Sequence, residues 1–492
     1  MRPLAGRGEP AGGHRSGDRR HRRGHRALVL TGLPLSPVHA GGEQIRADPA
    51  RQPGQAAAHR RRPGGRPAQA GQGFGKPLQG TGIRPAIAQV RPIRPQELGP
   101  YVTVMRRTFG QGVPDAAAVE RIRAAIELER TIAAFDDGNV VGTAGANTYQ
   151  MTVPGGSLPT AGVTMVTVLT THRRRGILTS LMRHQLDDVH NRGEPLAALY
   201  ASEAPIYGRF GYGIAIFAGD LQIPRSRAAF LKPAQIGGQF RFVDAEHAVT
   251  AFMQVWERVR PGQPGMLNPP AREWRAELAD PEDHRHGGSP HYRVVYEVDG
   301  TADGFALYRI RDNHHDGDFA STLMLEQLVA ATADAYEALW RYCLGVDLTA
   351  RVSADNRPVD EPLPFLLKDA RAARMLVSDA VWLRLVDVEA ALAGRSYASA
   401  GRLVVEVADT FCPWNAGRYE ISYSPQGSHC QRTTAPADLE LDVDVLAALY
   451  LGGNRFSTLH QARRVNELAP GAIARADAMF RTDRAPWSPS HF

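Results

Sequence analysis

The sequence has 492 residues, of which 43% are hydrophobic and 7% aromatic, with three cysteines and a formal net charge of +7. This length suggests about three domains, each able to bury a core of its own. The three scattered cysteines exclude a disulfide framework and match no metal-ligand spacing, which favours a reducing, cytoplasmic environment. The sequence contains no run of 18 apolar residues, the length that a membrane-spanning helix needs.

The first 85 residues differ from the rest of the chain. They hold 16 Lys and Arg against 4 Asp and Glu, with 17 Gly, 10 Pro and a single aromatic residue, Phe74. This composition cannot bury enough apolar surface to offset the entropy of ordering the backbone, so it predicts a disordered segment 1–85. Its arginine runs could bind nucleic acid, although no aromatic residues are interleaved for base stacking. Residues 27–40 weakly resemble a signal peptide. We favour a third interpretation, an upstream reading frame included by a misplaced start codon.

The remaining chain, which carries 42 bases against 47 acids, has the patterns of a folded α/β protein from about Ala86. Pro95 at a first helical position, with apolar residues following at helical spacing, predicts a helix, and residues 117–129 predict a second amphipathic helix. Residues 140–151 are strand-like, and Pro154-Gly155-Gly156 predicts a turn.

Residues 162–193 carry the most informative pattern. A β-branched strand at 163–168 leads into the basic loop Arg173-Arg174-Arg175-Gly176, and apolar residues then recur at helical spacing up to Gly193. This arrangement directs free backbone N–H groups and the positive end of a helix dipole at one point, which suits an anion such as a pyrophosphate. An ordinary charged loop would look similar. Neither the Walker A nor the dinucleotide glycine pattern is present, so ATP and NAD are not the expected ligands.

A second unusual loop follows the buried strand predicted at 196–200. Its last seven residues, 207–213, contain three glycines and three aromatic residues, beginning with Tyr207. Ser202 and Glu203, at its start, are expected either to line a pocket or to cap a helix. A packed aromatic corner is the structural alternative to a functional loop.

The two loops together resemble the GNAT superfamily of acetyl-CoA-dependent N-acetyltransferases, whose Arg/Gln-x-x-Gly-x-Gly/Ala loop binds the coenzyme's pyrophosphate. Arg173 and Gly176 match the first two fixed positions, and Leu178 departs from the third. More narrowly, T-H-R-R-R-G followed about thirty residues later by A-S-E-x-x-I-Y-G-R-F-G-Y-G resembles the Eis (enhanced intracellular survival) family of actinobacteria. The resemblance extends from about Ala86 to the carboxyl terminus.

The resemblance implies a site. Met165, Val166 and Val168 would line the pantetheine and acetyl group, with a backbone amide there as oxyanion donor. The cofactor site would also include Arg173, Arg174, Gly176, Ile177 and Ser202, and no metal. Tyr207 would be the general acid, and the terminal carboxylate of Phe492 the general base. A neutral phenol can donate to a departing thiolate, whereas an α-carboxylate with an intrinsic pKa of ~3.5 needs desolvation or a bridging water to act as a base. His491 stands where relatives tend to carry an acidic residue.

The predicted fold class is α/β (α+β), with a disordered tail before three domains. The resemblance implies a GNAT acetyltransferase domain at 86–225, a degenerate second GNAT domain at 226–379, and a sterol-carrier-protein-like α/β domain at 380–492. The second domain has strand patterns at 292–298, 304–310 and 322–329 and a helical pattern at 330–344, with no Arg-x-x-Gly loop before that helix, so we expect it to bind no CoA. The third has strand patterns at 381–385, 402–407 and 418–423 and helical patterns at 443–451 and 462–479.

The function predicted from these observations is acetyl transfer from acetyl-CoA to a primary amine by direct attack in a ternary complex. The resemblance implies aminoglycoside antibiotics or protein lysines as acceptors, and a homohexameric assembly. Neither a nucleic acid nor a membrane is an expected partner. The alternative is a lipid- or sterol-binding module with a non-catalytic GNAT scaffold, against which stand the intact Arg173–Gly176 loop and Tyr207.

Overall fold

The protein is described by a computed structural model over residues 89–234, 237–312, 314–315 and 318–492. The segment 1–85, for which the sequence leaves three interpretations, lies outside these residues. Within the described ranges no helix combines the length and apolar character that crossing a membrane requires.

The strands of this part of the chain are, in order, β1 (Gln89–Pro92), β2 (Thr131–Asp136), β3 (Asn139–Val153), β4 (Gly156–Val168), β5 (Leu196–Tyr200), β6 (Gly213–Ile214), β7 (Phe217–Pro224), β8 (Gln239–Phe242), β9 (Tyr292–Val298), β10 (Thr301–Arg311), β11 (His314–His315), β12 (Asp318–Phe319), β13 (Ser321–Ala330), β14 (Thr349–Pro358), β15 (Arg374–Asp379), β16 (Val381–Leu385), β17 (Gly401–Ala408), β18 (Gly417–Ser424), β19 (Gly427–Arg432), β20 (Leu439–Asp442) and β21 (Val465–Glu467). The helices are α1 (Leu98–Thr108), α2 (Ala116–Ala125), α3 (Ile177–Asn191), α4 (Ala245–Val259), α5 (Ala271–Leu278), α6 (Ala333–Gly345), α7 (Leu363–Leu366), α8 (Val388–Ala393), α9 (Val443–Tyr450), α10 (Phe456–Gln461) and α11 (Ala472–Phe480).

Three large sheets organise these elements. The first has the strand order β1-β2-β3-β4-β5-β16-β6, the second β15-β7-β14-β13-β10-β9-β8, and the third β19-β18-β17-β20-β21. Each of the first two sheets contains one parallel pair, β4–β5 and β13–β14. A helix, α3 or α6, connects the two strands of each pair, as a parallel connection requires. The prediction of two similar α/β domains followed by a third is confirmed.

Two strands do not follow the chain order of the predicted domains. β7, which the sequence assigned to the first domain, pairs with β14 and β15 in the second sheet. β16, expected to open the third domain, instead pairs with β5 and β6 in the first sheet. All five β16 residues are buried, and an apolar strand sequence does not specify which sheet accepts it. The predicted boundaries at 225 and 379 divide the chain into segments, but strands on either side of each boundary pair within one sheet. The boundaries therefore stay predictions.

The third domain shares a core with the first. Helix α9 packs against β16 and β6 of the first sheet and also against β17 and β20 of the third. Six of its eight residues are buried, so neither sheet can be separated from it without exposing apolar surface. One expected helix is absent here: residues 462–479 form β21 and then α11, which begins after Pro470 and a left-handed Gly471 (φ +80°). Proline inside a helix would remove a hydrogen bond and clash with the preceding turn.

Candidate active site

The site is built where the parallel strands β4 and β5 separate. Their ladder covers only Thr160–Gly162 on β4 and Leu196–Ala198 on β5. Past these residues β4 continues to Val168 and β5 to Tyr200. The two strand ends therefore leave an opening at the carboxyl edge of the first sheet, where open α/β sheets commonly bind ligands.

A β-bulge in β4 opens this edge further. The ladder with β3 pairs Thr143 with Thr167 and Gly145 with Thr164, which places Met165 and Val166 together opposite one β3 residue. Met165 has a left-handed φ of +54°, and its carbonyl accepts a 2.7 Å hydrogen bond from Thr143 Oγ1. Bulged residues are left out of the ladder, so their amides can donate to a ligand.

The basic loop adopts the geometry expected of an anion-binding turn. Arg174 and Gly176 are both left-handed, with φ of +62° and +80°, and Gly176 is the residue from which α3 begins. Nothing lies within 4 Å of where a Gly176 Cβ would stand, so backbone conformation rather than space favours glycine there. The first turn of this 15-residue helix leaves N–H groups without intrahelical partners, which suits a phosphate group.

The three loop arginines differ in their partners. Arg175 donates to Asp136 Oδ2 at 3.0 Å and is held to the end of β2. Arg173 and Arg174 line the adjoining cavity, and neither pairs with a carboxylate among the described residues. Two guanidinium groups are thus available to an anionic ligand.

A cavity of about 670 Å³ occupies the opening. Most of the predicted site residues line it, namely Val166, Val168, Arg173, Arg174, Gly176, Ile177, Ser202 and Tyr207. Glu203 lines it as well and makes no side-chain capping bond. The end of α1 (Thr108, Phe109, Gly110), His172 and Arg209 also contribute. No local pattern predicts that the α1 residues line this cavity, because their position depends on packing across the sheet.

Met165 is placed differently from the other predicted residues. Its side chain belongs to the core cluster that α1 forms with the first sheet, which includes Tyr101 and Met105, and is 2% exposed. The bulge turns its side chain away from the cavity, so only its backbone can contribute to the site.

Tyr207 lies on the cavity wall at the end of a short turn after β5. It is 5% exposed, and its hydroxyl has no hydrogen-bond partner within the described residues. Burial, helped by the negative charge of Glu203, raises the pKa of Tyr207 to about 12. The phenol is therefore neutral at physiological pH and can donate a hydrogen bond into the cavity.

The last residues of the sequence reach the same region from the third domain. Tyr200 Oη, at the end of β5, donates to the carbonyl of Ser490 at 2.6 Å. A Cβ placed on Gly162 would lie 3.0 Å from a ring carbon of Phe492, and the Phe492 ring is 5.4 Å from that of Tyr200. Phe492 therefore lies at the point where β4 and β5 separate, although it does not line the cavity. Burial lowers the pKa of His491 to about 4, so its imidazole is neutral near pH 7.

A buried acidic region, which sequence reasoning missed, adjoins Phe492. The Tyr149 ring is 5.5 Å from that of Phe492, and Tyr149 Oη donates to Glu273 Oε2 on α5 at 2.7 Å. Burial raises the pKa of Glu273 to about 7. Asn147 Nδ2 donates to the same Tyr149 oxygen at 3.2 Å. Glu273 Oε1 and Asn147 Oδ1 are buried without a hydrogen-bond donor among the described residues.

The acidic region continues along α5. Glu277, one turn after Glu273, accepts a 2.6 Å hydrogen bond from Gln327 Nε2. Burial, with the nearby charges of Glu326 and Glu273, raises the pKa of Glu277 to about 8. Gln327 Oε1 is also buried without a donor in this part of the structure. Acceptors that lack donors can be satisfied by water or by a ligand rich in N–H groups. No sequence signal could link these residues to the site, because α5 and β13 belong to the second domain.

Residues 89–492, apart from the short gaps, contain no group of three or more His, Cys, Asp or Glu side chains arranged to hold a metal ion.

Each of the three domains is similar to a known family. Two regions match the Acetyltransferase (GNAT) domain, residues 89–215 and 265–385, and residues 388–489 match the Sterol carrier protein domain. An uncharacterized N-acetyltransferase of Streptomyces coelicolor is 44% identical over 409 residues, 82% of this chain and 99% of the relative. N-acetyltransferase Eis of Mycobacterium tuberculosis is 38% identical over 353 residues, 70% of this chain and 84% of the relative. The crystal structure of Eis1 from Mycobacterium abscessus is similar with a TM-score of 0.72 and 38% identity, covering 82% of this chain and 100% of that one.

Proposed function

Because the chain belongs to the Eis family of GNAT N-acetyltransferases, we propose that it transfers the acetyl group of acetyl-CoA to a primary amine of a polycationic small molecule or a protein lysine. Aminoglycoside antibiotics are the small-molecule class that the family suggests. The acyl-CoA-dependent acetyltransferase activity follows from the family, and the acceptor and the mechanism are our proposal. One observation carries it: a single cavity at the β4–β5 opening is lined by the basic loop, the bulged edge of β4 and Tyr207.

The cofactor end of the cavity suits the diphosphate of acetyl-CoA. Arg173 and Arg174 would neutralise its charge, and the amides that follow Gly176 would donate to its oxygens. Val166, Val168 and Ser202, which line the same cavity, would lie beside the pantetheine chain. The bound thioester supplies the electrophilic carbonyl, and an amide at the Met165–Val166 bulge would donate to its oxygen. Loss of one such donor in other enzymes costs about 2.7–4 kcal/mol of transition-state stabilisation.

Two groups would handle protons. Tyr207, neutral because burial raises its pKa to about 12, would donate to the departing thiolate as general acid. The main-chain carboxylate of Phe492 would accept the proton that the attacking amine loses, directly or through a water molecule. The Phe492 ring packs against Gly162, the last β4 residue that pairs with β5, and this position supports the role.

The acidic region beside Phe492 supports a cationic acceptor. Asn147, Glu273 and Gln327 each present a buried oxygen without a hydrogen-bond donor in the described chain, and Arg272 Nη2 faces the Glu273 oxygen at 3.8 Å, beyond hydrogen-bond distance. An ammonium group offers three N–H donors and a positive charge, and would satisfy such oxygens while lowering the cost of ionising Glu273.

The decisive experiment measures release of free CoA thiol with a panel of aminoglycosides, polyamines and lysine peptides. We expect acetyl-CoA-dependent thiol release with at least one polycationic amine, and mass spectrometry should find the acetylated product. Acetyl-CoA at 100 times its Kd should also stabilise the fold by about 2.7 kcal/mol, whereas a lipid ligand should not. Stabilisation by lipid and no thiol release with any amine would favour the lipid-binding alternative.

The second GNAT domain is proposed to bind no CoA. The connection from β13 to α6 is only two residues long, and Thr332 within it caps the helix by accepting from the Ala335 amide at 3.2 Å. Titration calorimetry should find one acetyl-CoA site per chain, and two sites would overturn the proposal.

We also propose a homohexamer in the cytoplasm. Family membership supports the assembly, and three free, buried cysteines (Cys343, Cys412 and Cys430) are compatible with a reducing compartment. Light scattering should give six times the chain mass, and cell fractionation should recover the protein with cytosolic markers.

A further inference from the structure

The loop that carries Tyr207 rests on the third domain. Residues 207–213 are here called the tyrosine loop. Its last residue, Gly213, begins the short strand β6. A Cβ on Gly213 would overlap the Asp444 carbonyl at the start of α9, and a Cβ on Gly211 would overlap the guanidinium of Arg384. Gly211 also has a left-handed φ of +82°. The backbone of the tyrosine loop is therefore in direct contact with α9 and with Arg384.

Arg384 links this loop to the sterol-carrier-like domain. It lies on β16 with no exposed surface and pairs with Asp409 Oδ2 at 2.5 Å. Asp409, just after β17, is itself fixed by the amides of Phe411 (3.2 Å) and Cys412 (2.9 Å). Arg384 Nε and Nη1 have no hydrogen-bond acceptor among the described residues.

The chain of contacts continues from Arg384 to the cavity. Tyr212, also fully buried, directly follows Gly211, whose backbone packs against the Arg384 guanidinium. Its ring meets that of Tyr207 edge-on with centroids 6.0 Å apart, and its amide hydrogen-bonds the Tyr207 carbonyl at 3.4 Å. Asp409, Arg384, the Gly211–Tyr212 backbone and Tyr207 thus form a continuous path from the third domain to the cavity wall.

A buried ion pair is a weak stabiliser, since desolvation offsets its attraction and an apolar pair often packs as well. We propose that Arg384 is a positioning residue: with Asp409 it holds the tyrosine loop so that the Tyr207 hydroxyl faces the cofactor. The sterol-carrier-like domain then supports the acetyltransferase site through this contact. This inference rests on the proposed role of Tyr207 as the acid.

The test uses the full chain with Arg384→Met, Asp409→Asn and the double variant Arg384→Met/Asp409→Leu, which leaves no buried charge alone. We expect kcat to fall by about 10- to 100-fold, because a misplacement near 1 Å can cost about 10²-fold. The Kd of acetyl-CoA should be unchanged, and Arg384→Lys should restore part of kcat. The matched control is Arg130→Met/Glu194→Leu, which removes another buried ion pair (2.5 Å) that joins the residue before β2 to the segment before β5 and has no place in the path from Asp409 to Tyr207. It should lower stability and leave kcat unchanged.

A double-mutant cycle separates positioning from general damage. In a Tyr207→Phe background, Arg384→Met should cause no further loss of kcat, because both changes remove the same contribution. If Arg384→Met lowers kcat equally with Tyr207 and with Phe at position 207, the inference is overturned. A wild-type kcat in Arg384→Met/Asp409→Leu would overturn it as well. If Tyr207→Phe itself leaves kcat unchanged, the proposed acid fails, and a slow Arg384→Met enzyme would then show that Arg384 acts on another group. An Arg384→Met chain that does not fold leaves Arg384→Lys and Asp409→Asn to carry the cycle.

Discussion

Replacing Tyr207 with phenylalanine tests the acid by removing a single hydroxyl. The ring that packs against Tyr212 stays in place. Because the hydroxyl has no hydrogen-bond partner among the described residues, its loss should change the free energy of unfolding by less than about 1 kcal/mol. Any loss of activity then reports on the reaction and not on the fold.

The size of the effect follows from the burial of Tyr207. A pKa of about 12 against an ordinary value of ~10 disfavours the phenolate by about 2.7 kcal/mol. Full transfer of the proton to a thiolate, whose thiol has a pKa of ~8.5, is then uphill by about 5 kcal/mol. The main contribution is therefore a hydrogen bond to the developing thiolate, worth about 2–3 kcal/mol. Its loss predicts a fall in kcat of roughly 30- to 160-fold.

The assay follows thiol release at saturating acceptor, with the Kd of acetyl-CoA measured by calorimetry. In the wild type, Tyr207 should cause no alkaline decline in kcat below about pH 11, because only the neutral phenol donates and it persists up to its pKa of about 12. Tyr397→Phe is the matched control, since it removes a buried hydroxyl that donates to Leu392 at 2.8 Å in the third domain. It should cost stability and spare kcat. An unchanged kcat in Tyr207→Phe, or a rise in Kd equal to the loss in kcat, would refute the reasoning.

Three further predictions concern the loop, its arginines and the terminus. Gly176→Ala puts a Cβ on left-handed backbone (φ +80°), which should lower the free energy of unfolding by about 1–2 kcal/mol and raise the Kd of acetyl-CoA. Gly193→Ala (φ +70°), at the other end of α3, is the control and should lose similar stability with an unchanged Kd. Arg174→Gln should raise that Kd about tenfold or more, while Arg175→Gln, whose guanidinium already binds a carboxylate, should change it much less; equal effects would contradict the different roles of the two arginines. One extra residue after Phe492 moves the carboxylate by ~3.5 Å and should lower kcat at constant Kd, and full activity in that variant would remove the terminal base from the mechanism.

Local features of the site could be predicted from the sequence. The strand, the basic loop and the helix between 162 and 193 are contiguous, so their hydrogen bonding and dipole geometry depend on neighbouring residues alone. Gly176 and Tyr207 were identified in this way and through the family resemblance, and both line the cavity. Met165 is only partly as expected, because a bulge, which arises from pairing with β3, turns its side chain into the core.

The rest of the site was decided by tertiary structure. β16 joins the first sheet although about 180 residues separate it from β5. Glu273 reaches Tyr149 from another domain, and Arg384 acquires its role only through Asp409 and the tyrosine loop. A local pattern specifies how a segment folds, but strand partners and the burial of charged groups depend on segments that meet only when the whole chain has packed.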